Sequence, residues 1–144
     1  MQKKTILIVE DDERFRKMLS FLFIAKNFNV ETANDGVEAL SYLAENIPSL
    51  IILDLVMPQM DGFTLYKKIK EQNRLNNVPV IFLSGLGMQD IVEKLESADL
   101  NHYLRKPFRT ADILTLTADA LNCRGEESNQ YKLGVQARGY RDKA

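Results

Sequence analysis

Leu50-Ile51-Ile52-Leu53 runs without interruption into one carboxylate, Asp54, and Leu55-Val56-Met57-Pro58 follows at once. Four consecutive apolar residues leave no polar face for water, so the run fits a parallel strand covered on both sides. Asp54 then stands at the strand's carboxyl end, where open α/β sheets gather their ligands. Taken alone, Asp54 is better explained as a turn residue that ends the strand. The rest of the chain shifts that balance, because other strands also end in residues suited to a site.

Ile6-Leu7-Ile8-Val9 is a first buried strand, and it ends in three acids, Glu10-Asp11-Asp12. Phe15, Met18, Leu19, Leu22 and Phe23 follow at helical spacing. Asp11 or Asp12 suits the cap of that helix, but three acids exceed what capping needs. Asn29–Ala33 is a weaker second strand. Asn34-Asp35-Gly36 makes a turn and cap, and the next helix is expected to carry Val37, Leu40, Ala44 and Ile47 on one face. Pro48 precedes the central strand. After it, Met57 to Gly62 has turn chemistry, and a helix with Phe63, Tyr66 and Ile69 follows. Residues 73–77 read as polar loop.

Val78-Pro79-Val80-Ile81-Phe82-Leu83 is a fourth strand, with proline tolerated near its start, and Ser84-Gly85 ends it. Residues 89–98 read as a short helix with Ile91, Val92, Leu95 and Ala98 inward. Asn101-His102-Tyr103-Leu104 is a short fifth strand, ending in Arg105-Lys106-Pro107-Phe108. Thr110 is the expected cap of a last helix, with Asp112 in its first turn and Ile113, Leu116, Thr117, Ala120 and Leu121 on one face. From Cys123 onward apolar residues thin out. The expected organisation is one domain over residues 1–122 and a polar extension over 123–144, either flexible or the start of a linker.

Composition enters as a set of exclusions. A length of 144 residues suits a single core. A net charge of −1 gives no bulk attraction to nucleic acid or anionic membrane. No apolar run approaches the ~20 residues of a membrane span. The N-terminus turns charged too early for a secretory signal, which leads us to expect a cytoplasmic protein. One cysteine, Cys123, permits no internal disulfide and no cysteine-based metal cluster.

Strands alternating with helices imply right-handed βαβ units: an α/β fold with a doubly wound, five-stranded parallel sheet and five helices. In the flavodoxin-like order 2-1-3-4-5, the switch point lies between the first and third strands. Their ends bring Glu10, Asp11 and Asp54 into one crevice. Like carboxylates held close repel unless a cation neutralises them. Oxygen ligands suit Mg²⁺, with Mn²⁺ as a substitute, and Mg²⁺ pairs few carboxylates with a phosphate. The fourth and fifth strands add the Ser84 hydroxyl and the Lys106 ammonium. Acids, a divalent cation, a hydroxyl and an amine around one carboxylate suit phosphoryl chemistry at Asp54.

Five motifs now stand in order: Ile8-Val9-Glu10-Asp11-Asp12, Leu53-Asp54-Leu55-Val56-Met57-Pro58, Asp61-Gly62, Leu83-Ser84-Gly85, and Tyr103-Leu104-Arg105-Lys106-Pro107-Phe108. With them, about residues 4–122 resemble a response-regulator receiver domain, the phosphoacceptor module of two-component signalling. The resemblance implies that Asp54 is phosphorylated by a histidine kinase or a histidine phosphotransfer protein. It makes Glu10 and Asp11 the acidic pair, with Asp11 the more direct metal ligand, and the backbone carbonyl of Val56 a third metal oxygen. Ser84 is then the switch hydroxyl, Tyr103 the switch aromatic and Lys106 the phosphate-binding lysine, before a cis proline.

The same resemblance implies a signalling module rather than an enzyme. Its output is the surface formed by the fourth helix, the fifth strand and the fifth helix, which binds a partner protein or a second copy. Direct nucleic-acid or membrane binding is not expected. Ser97 departs from the family, which often has glycine there, and Leu100-Asn101-His102 is less acidic than usual. Two positions that can orient a hydrolytic water in receivers, two residues after the acceptor and two after the switch hydroxyl, are here Val56 and Leu86.

Other readings fit less well. A haloacid-dehalogenase-like phosphatase places a second Asp two residues after its nucleophile, where this chain has Val56. A flavin carrier conflicts with the acidic loop after the first strand, which repels phosphate. A phosphorylation-independent scaffold of the same fold leaves the set Glu10, Asp11, Asp54, Ser84 and Lys106 without a purpose. His102, the only histidine, reads as a surface or packing residue; Met57 and Met60 read as packing, and Cys123 as an inert thiol.

Overall fold

The structure, a computed structural model, describes residues 3–87, 91, 95 and 102–122. Its strands are the apolar runs of the sequence. β1 (Thr5–Val9), β3 (Leu50–Asp54) and β4 (Val80–Ser84) are buried almost throughout. Each Ile or Leu so covered contributes about 1.5–3 kcal/mol relative to exposure. β2 (Asn29–Ala33) is largely exposed and lies at an edge, which is why its pattern is weak in sequence. With β5 (Tyr103–Arg105) the strands form one parallel sheet in the order β2-β1-β3-β4-β5, as expected.

The chain divides into two compact units, Met1–Pro79 and Val80–Ala144. In the first, α1 (Glu13–Ala25) follows β1, α2 (Gly36–Leu43) follows β2, and α3 (Gly62–Lys70) follows β3. Each begins at an aspartate whose side chain accepts backbone N–H groups: Asp12, Asp35 and Asp61. These caps occupy donors that the first helical turn leaves unpaired. β1 pairs with both neighbours, and the last pair with β3 is Val9 with Leu53. One step further along that register stand Glu10 and Asp54.

Three expectations for this unit need correction. α2 buries Gly36, Ala39 and Leu43, whereas Val37 is 62% exposed and Ile47 57% exposed. The expected face was wrong; the helix packs through Gly36 and Ala39, whose small size allows a close approach, and through Leu43. In α1 the buried line is Leu19 and Phe23, four residues apart, and Met18 lies 100° round the helix, with Phe21 and Ile24 also exposed. The stretch read as polar loop after α3 contains a 3₁₀ turn, Asn73–Leu75, anchored by the buried Leu75.

In the second unit, β4 pairs with β5 so that Phe82 faces Tyr103 and Ser84 faces Arg105. The last helix (Thr110–Asn122) buries Ile113, Leu116, Thr117, Ala120 and Leu121, the predicted face. Thr110 is its first helical residue rather than its cap. The Asp112 carboxylate accepts the Arg109 N–H, bracing the helix start from inside. Four α-helices stand among the described residues. The helix expected over 89–98 falls mostly outside them. Ile91 and Leu95 are described: both are buried, and the Leu95 N–H donates to the Ile91 carbonyl at 3.0 Å, one helical turn. The expected extension over 123–144 also lies outside the described residues.

Candidate functional site

Glu10, Asp11 and Asp54 meet at the carboxyl ends of β1 and β3. One carboxylate oxygen from each lies within 4.8 Å of the others. Glu10 and Asp54 are buried, and Asp11 is exposed at the rim. The Asp54 carboxylate accepts the Val56 N–H at 3.1 Å, and the Glu10 carboxylate accepts the Asp12 N–H at 3.2 Å. Two full charges at such a range repel by about 3 kcal/mol at an effective dielectric of ~20. Burying them costs more still unless a cation is shared. Three carboxylate oxygens without nitrogen or sulfur form a hard donor set, which fits a divalent cation such as Mg²⁺.

The third acid of the loop has a different task. The Asp12 side chain accepts the N–H groups of Arg14 and Phe15 at 3.0 and 3.3 Å and caps α1. One residue of the acidic triplet is thus structural, and two are left to the cluster. Gly62 packs closely on the backbone of Asp54 and Leu55. Its N–H donates to the Leu55 carbonyl at 2.9 Å, and a Cβ there would overlap the Asp54 carbonyl oxygen and the Leu55 Cα. Arg16 escaped the sequence reading. Its guanidinium donates to the Glu10 carbonyl at 2.7 Å and reaches the Asp11 carbonyl at 3.5 Å. Its position on the first turns of α1, pointing back at an acidic loop, was the available signal.

The second unit positions Ser84, Tyr103 and Lys106. Ser84 is fully buried at the end of β4, and its hydroxyl accepts the Leu86 N–H at 2.9 Å. The Lys106 N–H donates to the Ser84 carbonyl at 2.7 Å, tying the two strand ends together. The Lys106–Pro107 peptide is cis, as expected. Tyr103 is buried, and its hydroxyl donates to the Leu86 carbonyl at 2.7 Å. Leu86 is therefore held from both sides, by a serine on its N–H and a tyrosine on its carbonyl. His102, expected at the surface or in packing, is buried beside Asp119 of the last helix.

The model of the response regulator receiver domain matches residues 6–118. The chain belongs to the response regulator receiver family. Receiver domains are signalling modules, generally not enzymes, that interact with histidine kinases and output domains and typically bind Mg²⁺. This receiver is 38% identical over 142 residues to the response regulator PleD of Caulobacter vibrioides, covering 92% of this chain and 31% of PleD. It thus spans about a third of that relative. It is 33% identical to the two-component response regulator ARR17 of Arabidopsis thaliana, covering 83% of this chain and 86% of ARR17.

Among solved structures, the receiver resembles the signal receiver domain of a histidine kinase from Syntrophus aciditrophicus. The identity is 33% and the TM-score 0.76, over 86% of this chain and 96% of that one. The chemotaxis protein CheY4 of Vibrio cholerae gives 28% identity and a TM-score of 0.77, over 83% of this chain and 100% of CheY4. No described helix is long and apolar enough to cross a membrane.

Proposed function

We propose that this receiver is a phosphoacceptor switch in which Asp54 takes a phosphoryl group from a histidine kinase or a histidine phosphotransfer protein. The supporting observation is the gathering of Glu10, Asp11 and Asp54 oxygens within 4.8 Å at the ends of adjacent strands. Glu10, Asp11, Asp54 and the Val56 carbonyl would hold Mg²⁺, or Mn²⁺ as a substitute, and such an ion would supply positive charge against the phosphoryl oxygens. An Asp54 oxygen attacks phosphorus. The new O–P bond forms as the donor's P–N bond breaks, and the electron pair returns to the imidazole nitrogen. The Lys106 ammonium balances charge on the transferred group, and the Ser84 hydroxyl donates a hydrogen bond to it.

The added charge and acceptor oxygens draw Ser84 toward the phosphoryl group. Ser84 then releases the Leu86 N–H, and the Tyr103–Leu86 link adjusts with it. The signal reaches the surface formed by the helix expected over residues 89–98, the fifth strand and the last helix. There an output protein or a second copy binds. The signalling unit spans residues 1–122 in the cytoplasm, and residues 123–144 are an extension to it.

Intact-mass measurement after treatment with a small phosphodonor and Mg²⁺ tests the central step. One phosphoryl group should be gained, and Asp54→Asn should gain none. A mass gain at another residue with Asp54 unmodified refutes the assignment. Ser84→Ala should still accept the group while transmitting poorly, seen as amide shifts that stop short of Tyr103.

A further inference from the structure

We propose that Arg16 is a positioning residue for the acidic cluster. By holding the carbonyls of Glu10 and Asp11, it fixes the direction in which their carboxylates leave the loop. This rests on the reading above, that the cluster binds Mg²⁺. The Arg16 Nη1 atom lies 2.7 Å from the Glu10 carbonyl oxygen, a short bond from a charged donor. It lies 3.5 Å from the Asp11 carbonyl oxygen, at the outer limit of such a bond. Peptide units are planar, so each residue has only two soft dihedrals. Anchoring two successive carbonyls therefore restricts the side-chain vectors of both acids.

Other bonds complete the frame. The Arg16 N–H donates to the Asp12 carbonyl at 2.9 Å, the first turn of α1, and Asp12 caps that turn. The Glu10 N–H donates to the Ala33 carbonyl of β2 at 3.1 Å. The loop is thus tied to β2 at one end and to α1 at the other, and Arg16 is the side chain that reaches across its middle. Holding ligands from behind in this way is a common requirement of metal sites, and losing such support typically costs 10–100-fold in affinity.

Geometry and charge predict opposite signs, which makes the inference testable. A guanidinium near three carboxylates opposes the binding of a further cation. If Arg16 acted only through its charge, removing it would tighten Mg²⁺ binding. If it acts by holding the loop, removing it weakens binding despite the lost positive charge.

The experiment is an Mg²⁺ titration of the full chain, followed by amide chemical shifts. Arg16→Met should weaken Mg²⁺ on the order of tenfold. Arg16→Lys keeps the charge but loses the rigid planar fork of donors, so it should fall between Arg16→Met and the wild type. Leu19→Ala, a core change in the same helix, should lower the melting temperature and leave Mg²⁺ affinity in place. Unchanged or tighter binding by Arg16→Met overturns the proposal. So does a Leu19→Ala loss as large as that of Arg16→Met, since the effect is then general loss of stability.

Should Arg16→Met fail to fold, the wild type supplies the readout. A held guanidinium shows slowed rotation and resolved Nη signals in nitrogen-detected spectra. A single averaged signal overturns the inference. A wild type that binds no Mg²⁺ overturns the functional reading as well, whereas a wild type that binds it and an indifferent Arg16→Met overturn the positioning role alone.

Discussion

Nε2 of His102 lies 3.1 Å from Oδ2 of Asp119, with both side chains buried, so the residue preceding β5 is linked to the last turn of the last helix. The link sits one residue from Tyr103. Asp119→Ala removes this partner from a buried imidazole, which should cost roughly 1–3 kcal/mol. Changing His102 to Met and Asp119 to Leu together should recover much of it, because an apolar pair leaves no polar atom behind. Denaturant unfolding of the two variants checks this. A loss of only a few tenths for Asp119→Ala shows that the pair adds nothing to stability.

Two glycines of the first unit should respond differently to alanine. A Cβ on Gly62 would run into backbone, the Asp54 carbonyl and the Leu55 Cα. A Cβ on Gly36 would come 2.7 Å from the Met60 Sδ, the far part of a flexible side chain. Gly62→Ala should therefore cost about 3 kcal/mol and disturb the end of β3, while Gly36→Ala costs about 1 kcal/mol after Met60 moves. Thermal unfolding orders the pair. Equal losses would mean that the loop before α3 yields as easily as a methionine.

Gln59 has φ 68°, a left-handed conformation that a residue with a Cβ adopts at a cost. Gln59→Gly should stabilise the fold by about 0.5–1 kcal/mol, the relieved strain being partly offset by the freer unfolded chain. Asn27, with φ 72° just past α1, is the comparison: asparagine tolerates this conformation, so Asn27→Gly should change little. Chemical denaturation measures both, and a destabilised Gln59→Gly contradicts the account.

The buried strands were legible because they leave a simple trace: Leu50 to Leu53 and Ile6 to Val9 are apolar without a break and too short for a helix, while their order followed from the flavodoxin-like pattern of alternating strands and helices. The acids and hydroxyl at strand ends were legible for a related reason, since Glu10, Asp54 and Ser84 each interrupt an apolar run at its carboxyl end. The α2 face was not, because a short helix rich in apolar residues offers more than one apolar line, and Gly36, Ala39 and Leu43 pack where Val37 and Ile47 do not. Arg16 and the His102–Asp119 pair were hidden because polar contacts between elements depend on distances that spacing along the chain does not give. Asp119 in particular is a charged residue on a helix face that reads as exposed until His102 is placed against it.

On the proposed phosphorylation of Asp54, the lifetime of the phosphorylated form would depend on whether water can attack phosphorus in line, opposite the Asp54 oxygen. A polar side chain that orients the water speeds that attack. In receivers the positions two residues after the acceptor and two after the switch hydroxyl can serve, and here they are Val56 and Leu86. Val56 is 52% exposed, so its side chain is not committed to the core, yet it carries no group that can hydrogen-bond to water. Leu86 has its backbone occupied at both ends, by Ser84 and Tyr103, and its side chain is likewise apolar. Phospho-Asp54 should therefore persist longer than in receivers with polar residues at these positions. Val56→Asn combined with Leu86→Glu should raise the rate of phosphate loss by roughly 100-fold, the lower end of the range for placing a general base or orienting group. The time course of phosphate release in Mg²⁺ measures it. An unchanged rate in the double variant, with Asp54 still the acceptor, means that access and orientation of water do not limit hydrolysis here.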